Sequence, residues 1–227
     1  MSQNKLFQLI TFDVYTALFD VENSLVEPVH ETLDIDLDSL TFVRAWRRKQ
    51  LEYALISNSL QQGRISFEQI TRRALGDTLT RSKLDLPESL RAQLVNAWQD
   101  LQPWPEAPHV LDTLKARGYR LGLLSNGDTA MLHAVSKNLP PVFDFVYSSE
   151  QAGYYKPHPA VYALPLQSLQ LKANEVLHVA GSATDTLGAK AAGLNCAWSN
   201  RNHEPILDAS YAVDYNMPDL NQLLEIL

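Results

Sequence analysis

Four apolar runs in this chain each stop at a short polar turn, and helical patterns accompany them. Leu9-Ile10-Thr11-Phe12 delivers Asp13, Tyr119 to Leu124 ends at Ser125-Asn126-Gly127, Phe143 to Tyr147 ends at Ser148-Ser149, and Val176 to Ala180 ends at Gly181-Ser182. Helical patterns run from Ala107 to Arg117, Ala160 to Leu169 and Thr186 to Ala192, with Gly118 and Gly193 as stops. Strands alternating with helices imply an α/β fold, a doubly wound parallel sheet flanked by helices. Ligands of such sheets bind at the carboxyl ends of the strands, which places Asp13 as a candidate nucleophile.

The segment from Val21 to Leu101 has another character. It carries three helical patterns, Ser39 to Gln61, Ser66 to Asp77 and Pro87 to Leu101, with no convincing strand between them. Ser66 opens the second pattern as an N-cap, with Gln69 at the third helical position. The stretch Pro103-Trp104-Pro105-Glu106-Ala107-Pro108 is short and semi-rigid, which suits a hinge returning the chain to the sheet. The expected organisation is a catalytic core of residues 1–20 and 102–227 and a helical cap subdomain of residues 21–101, closing over Asp13.

At 227 residues and 45% hydrophobic, the chain can bury a substantial core. Its net charge of −7 offers no basic footprint for nucleic acid or an anionic membrane. No apolar run approaches the ~20 residues needed to span a bilayer, Met1 to Lys5 does not read as a secretory signal, and the lone Cys196 excludes an intrachain disulfide. The cytoplasm is the expected location.

If the sheet is parallel, Asp13, Ser125-Asn126, Lys156 and Ser182 to Asp185 converge on one rim. A carboxylate, small polar groups, an ammonium and a second carboxylate suit covalent catalysis. Lys156 would keep Asp13 ionised, and Asp185 would orient the lysine or help activate water. The position two after Asp13 is Tyr15, not an acid, so the carboxylate that would help hold a divalent cation is missing. No metal and no cofactor are expected, and the partner is a small carboxylate substrate.

These motifs resemble the haloacid dehalogenase superfamily. The similarity to its (S)-2-haloacid dehalogenase branch rests on Asp13-Val14-Tyr15, Trp46 to Tyr53 around Arg47, Leu124 to Gly127, Tyr155-Lys156-Pro157 with Tyr162, and Asp185 with Gly188-Ala189. The resemblance implies a doubly wound, Rossmann-like core, a helical cap and metal-free chemistry. The residue matching Asp13 attacks C2 of a small 2-substituted carboxylate with inversion, and water then opens the resulting aspartyl ester. Arg47 would stabilise the carboxylate or the departing group, its planar fork suiting an anion. Ser125 and Asn126 would bind substrate oxygen and position Asp13, Lys156 would balance charge, Tyr162 would support the pocket, and Asp185 would poise lysine and water. The same resemblance makes a homodimer a further expectation.

Three polar positions depart from the branch. Its Gly-Thr after the tyrosine is Thr16-Ala17 here, and a serine and an asparagine near the fourth strand correspond to Ala180 and Ser182. The arrangement Asp13 to Thr16 resembles azetidine-2-carboxylate hydrolases, which open a strained ring at C2. A protonated ring nitrogen prefers acceptors such as the Thr16 hydroxyl, whereas a halide prefers donors and apolar contact. Ring opening of azetidine-2-carboxylate is therefore the favoured activity, with Tyr15, Thr16 and Ser182 beside the substrate and dehalogenation of (S)-2-haloacids as the alternative.

Two further readings compete. A phosphatase of the same superfamily needs Mg²⁺ and more oxygen ligands than this rim supplies, and a binding protein could have lost the chemistry at Thr16-Ala17 and Ala180. Trp46, Trp98, Trp104 and Trp198 read as core or hinge aromatics, His158 and His178 as structural or surface residues, and Cys196 as a core thiol.

Overall fold

In the computed structural model, which describes residues 5–33, 38–60 and 62–227, the run Leu9–Phe12 forms β1 and is buried throughout. It lies at the middle of a parallel sheet with β2 (Leu121–Ser125), β3 (Phe145–Ser148), β4 (Val176–Ala180), β5 (Asn195–Ser199) and β6 (Tyr215–Met217). The strand order β3-β2-β1-β4-β5-β6 reverses direction at β1. That reversal opens a crevice beside the end of β1, where parallel sheets place ligands. The register sets Phe12 between Leu123 and Val179, so Asp13 leaves the sheet level with the ends of both neighbouring strands.

Between β1 and β2 the described chain forms α1 (Val21–Leu33), α2 (Ser39–Leu60), α3 (Phe67–Arg81), α4 (Glu88–Asn96) and α5 (Ala107–Ala116). The first four form the helical insert; Phe19 and Pro103 face each other in an antiparallel bridge at its base. Helix α2 packs along α1 and α3. Ser66 caps α3 as expected, its Oγ accepting from Gln69 N at 3.2 Å. After β2 the helices α6 (Thr129–Val135), α7 (Ser149–Ala152), α8 (Pro159–Leu169), α9 (Ala183–Ala191) and α10 (Leu223–Ile226) wind about the sheet.

Several boundaries differ from the sequence reading. Helix α1 was not among the expected patterns and carries Pro28 in its interior; Asp20 starts it by accepting from Asn23 N at 3.2 Å. Helix α3 runs on to Arg81, and α4 stops at Asn96 rather than Leu101. The end of the pattern Ser39 to Gln61 falls at Gln61, outside the described residues, as do Met1 to Asn4. No helix among the described residues is long and apolar enough to cross a membrane.

Candidate active site

Asp13 follows β1 and starts a wide helical turn over Val14–Leu18, closed by Phe19 N bonding Val14 O five residues back at 3.1 Å. The turn brings Thr16 over the carboxylate: its amide and Oγ1 donate to Asp13 Oδ2 at 3.1 and 2.7 Å. On the other oxygen, Oδ1, Lys156 Nζ lies at 3.3 Å and Ser125 Oγ at 3.5 Å. Four donors from three segments thus fix one carboxylate whose side chain is only 10% exposed.

Lys156 reaches the same point from the loop after α7. Asn126 Oδ1 accepts its backbone N–H at 2.7 Å, and Nζ donates to Asp185 Oδ2 at 2.9 Å. Burial pulls the Lys156 pKa downward, but Asp185 and Asp13 outweigh it and hold the ammonium above the ordinary lysine value. Asp185, in the first turn of α9, is the reverse case. Burial pulls its pKa up, yet Lys156, with His178 beside it, pulls it well below the ordinary carboxylate value.

A cavity of about 320 Å³ opens over this group, lined by Asp13, Tyr15, Thr16, Arg47, Asn126, Lys156, Ser182 and Asp185 among others. A second cavity of about 340 Å³ adjoins it across Thr16, Arg47 and Ser182. Arg47, from α2, lies 5.7 Å from the Tyr15 ring centre and 5.5 Å from that of Trp98. Burial lowers its pKa, opposed by Asp13. The guanidinium donates to Gln50, whose amide reaches Thr71 Oγ1 at 2.5 Å, and the Thr71 hydroxyl donates to Phe67 O at 2.7 Å. A planar cation with one side braced and the other facing the cavity suits a carboxylate or a departing anion.

The expected site residues therefore converge. Ser125 and Tyr162 lie outside the cavity lining, both fully buried. Ser125 stands behind Asp13, and Tyr162 donates to Asp185 Oδ1 at 2.7 Å; each braces a carboxylate. Ser182 lines the cavity and caps α9, its Oγ accepting from Asp185 N at 3.4 Å. Thr16 corrects another expectation, since its hydroxyl supplies to Asp13 the contact that Ala17 cannot.

Four contributors went unread in the sequence. His178, taken for a structural or surface residue, is fully buried with Nε2 3.0 Å from Asp185 Oδ2. Its signal is strand alternation, which puts positions 178 and 180 on one face of β4. Gln50 carried a weaker signal, one turn beyond Arg47 on α2. Asp128 and Asn58 carried none, because their partners are remote in sequence. Asp128 binds Arg64 and the Phe67 and Glu68 amides of α3, both at 3.0 Å. Asn58 pairs with both backbone polar groups of Tyr155 at 2.8 Å, just before Lys156.

Cys196 is a core thiol, its pKa pushed far up by burial. Trp46 and Trp98 are likewise core, packed edge to face at 5.5 Å. Trp104 lines the second cavity and donates to Thr16 O at 3.1 Å. Among the described residues no three His, Cys, Asp or Glu side chains converge as a metal-binding group.

Comparison with known proteins places this geometry. The haloacid dehalogenase-like hydrolase family model matches residues 8–193. The chain is 34% identical to the (S)-2-haloacid dehalogenase of Pseudomonas sp. (strain YL), over 96% of this chain and 93% of that one. It is 32% identical to haloacetate dehalogenase H-2 of Moraxella sp. (strain B), over 98% and 99%. Among solved structures, the L-2-haloacid dehalogenase of Xanthobacter autotrophicus with chloropropionic acid covalently bound superposes with a TM-score of 0.87 at 29% identity, covering 97% of this chain and 98% of that one.

Proposed function

The chain belongs to the haloacid dehalogenase-like hydrolases, and from that premise we propose that it hydrolyses the carbon–halogen bond of small 2-haloacids through an ester on Asp13. The observation that carries the reading is the pairing of Asp13 with Lys156 at 3.3 Å beneath a cavity that Arg47 also lines. A carboxylate nucleophile is paired with one cation, and a second cation waits for the substrate carboxylate or the halide.

In the first step an oxygen of Asp13 attacks C2 from the side opposite the halogen. The carbon–oxygen bond forms, the carbon–halogen bond breaks, and the halide leaves with the electron pair while C2 inverts. Water then adds to the Asp13 carboxyl carbon. The ester oxygen departs on the product as a 2-hydroxy acid, the water oxygen stays on Asp13, and one proton is released to solvent. Lys156 faces the oxygens on which negative charge reappears. On this reading residues 21–101 act as the cap and 1–20 with 102–227 as the core.

The order of the two substrate readings is reversed from the sequence expectation. The two relatives and the solved structure described above are all named for haloacids or haloacetate. The Thr16 hydroxyl donates to Asp13 and so also serves the nucleophile common to both reactions, which removes it as a signal for the ring nitrogen alone.

The test is a single turnover in ¹⁸O-water, with enzyme in excess over (S)-2-chloropropionate and, separately, azetidine-2-carboxylate. Halide release, with label on an Asp13 peptide and not on the first product formed, is expected from the haloacid. Label entering that product directly overturns the ester. Turnover of azetidine-2-carboxylate without halide release from the haloacid reverses the substrate order.

A further inference from the structure

His178 is a buried polar ring that the chemistry above leaves without a task. It sits on β4 directly opposite Thr11 on β1 in the sheet register, with Thr11 Oγ1 2.9 Å from Nδ1. Nε2 is 3.0 Å from Asp185 Oδ2 and 3.3 Å from Lys156 Nζ. An ionised carboxylate only accepts hydrogen bonds, so the nearer contact requires the hydrogen on Nε2. Nδ1 faces the Thr11 hydroxyl, which can donate to a lone pair there or accept from a second ring hydrogen. The opposite tautomer would set two lone pairs against each other in a site without solvent. Thr11, His178 and Asp185 therefore form one hydrogen-bonded chain in which Nε2–H is directed at the carboxylate.

The chain ends on the oxygen that holds Lys156. In the resting site Lys156 lies between two carboxylates, nearer to Asp185 at 2.9 Å than to Asp13 at 3.3 Å. Once Asp13 is esterified its charge is gone, and Asp185 alone attracts the ammonium. Unopposed, that attraction draws Nζ away from the carboxyl carbon that water must attack. The Nε2–H occupies Asp185 Oδ2, and the Tyr162 hydroxyl occupies Oδ1. Together they share the Asp185 charge and so weaken its pull on Lys156.

We propose that His178 is a positioning residue for ester hydrolysis: its Nε2–H, oriented by Thr11, holds Asp185 so that Lys156 stays within reach of Asp13 when the nucleophile is uncharged. The inference rests on the aspartyl-ester reading. It assigns His178 to the second half-reaction and not to the first, in which Asp13 keeps its own charge on Lys156.

The experiment combines rapid quench with intact-protein mass spectrometry on the full chain, using (S)-2-chloropropionate and the variants His178→Leu and His178→Gln. In His178→Leu, ester formation is expected to stay within about twofold of the parent and ester hydrolysis to slow by at least about tenfold, the effect of one hydrogen bond to a charged group. The covalent adduct then accumulates. His178→Gln keeps an N–H donor near the Nε2 position and should recover most of the hydrolysis rate, which a purely structural loss would not do. ¹⁵N resonances of the parent imidazole should show a hydrogen on Nε2, a readout that does not depend on either variant folding. An adduct-forming parent whose His178→Leu variant keeps the parent's ratio of rates overturns the inference alone, as does an Nδ1–H tautomer. A parent that turns over without ever carrying an adduct overturns the ester reading and this inference with it.

Discussion

Replacing Lys156 with Met removes the cation that Asp13 and Asp185 share while keeping a side chain of similar reach. The ammonium is 5% exposed, Asp13 10% and Asp185 5%, so the stranded charges have little water to turn to. Removing one partner of a buried ion pair costs about 3–5 kcal/mol, mostly through the unpaired charge left behind. Two carboxylates are stranded here, but Thr16 still donates to Asp13, and His178 and Tyr162 to Asp185, which keeps the loss within that range. In a domain of this length each kcal/mol moves Tm by about 2–4 °C, so the variant should melt about 6–20 °C below the parent at pH 7. The penalty should also depend on pH. Lys156 heads the groups that hold the Asp185 pKa down, so without it the carboxyl binds a proton more readily, and the gap to the parent narrows toward pH 4. Lys156→Met with Asp185→Asn removes one stranded charge and should regain part of the lost Tm while releasing no halide. Melting curves at pH 7 and pH 4.5, with denaturant titrations of all three proteins, make the measurement. A drop in Tm of less than about 2 °C, or a gap that does not change with pH, would refute the buried-network argument whatever the activity does.

Three shorter predictions follow from other contacts. Gly181→Ala would place a Cβ against the Ala17 amide and the Thr16 carbonyl carbon, backbone atoms that cannot rotate away; Thr16 should be displaced from Asp13 and kcat should fall at least about tenfold, with a fold that circular dichroism finds intact. Asp128→Ala should strand Arg64 and free the Phe67 and Glu68 amides, raising KM and speeding hydrogen exchange at the start of α3; exchange rates equal to the parent's would show that this contact does not hold the helical insert on the sheet. In the parent, the stability that Asp185 contributes is complete above the ordinary carboxylate value of 3.8 and is lost as pH falls toward its lowered pKa. Stability measured by denaturant should therefore fall steeply below about pH 4, and an Asp185→Asn variant should show a shallower acid limb.

The parallel core was legible because its strands are short apolar runs stopped by Ser, Gly or Asp, a local signal that needs no partner. The functional rim followed from it, since a parallel sheet collects strand ends however far apart they are in the chain; Asp13, Asn126, Lys156 and Asp185 were found on that basis. What stayed hidden depends on contacts between remote segments. Helix α1 carries Pro28 in its interior, where a missing donor and a ring clash argue against a helix, and only its packed face, with Leu25 and Val29 buried, offsets that cost. Strand β6 is three residues long and offers no periodicity to read. His178 looked like any histidine in an apolar strand until the register set it against Thr11 and the turn after β4 set it against Asp185.

Thr16-Ala17 shows most directly why spacing alone misleads at this site. Counting from the nucleophile, the resemblance implies a hydroxyl one position later, where Ala17 carries none. The turn between them is wide, however, with its closing bond spanning five residues, and the side chain directed at the carboxylate is set by where that turn begins. Here Thr16 meets Asp13 with both its amide and its hydroxyl, while Ala17 is fully buried. Gly181 approaches the backbone at the same two residues so closely that no side chain fits. A methyl group at 17 and a glycine at 181 let the turn lie flat on the β4 loop, and a hydroxyl at 16 then serves where one at 17 would have to find room. The exchange preserves the donor to the nucleophile by moving it one residue along the chain, which a motif written as a fixed string scores as a loss.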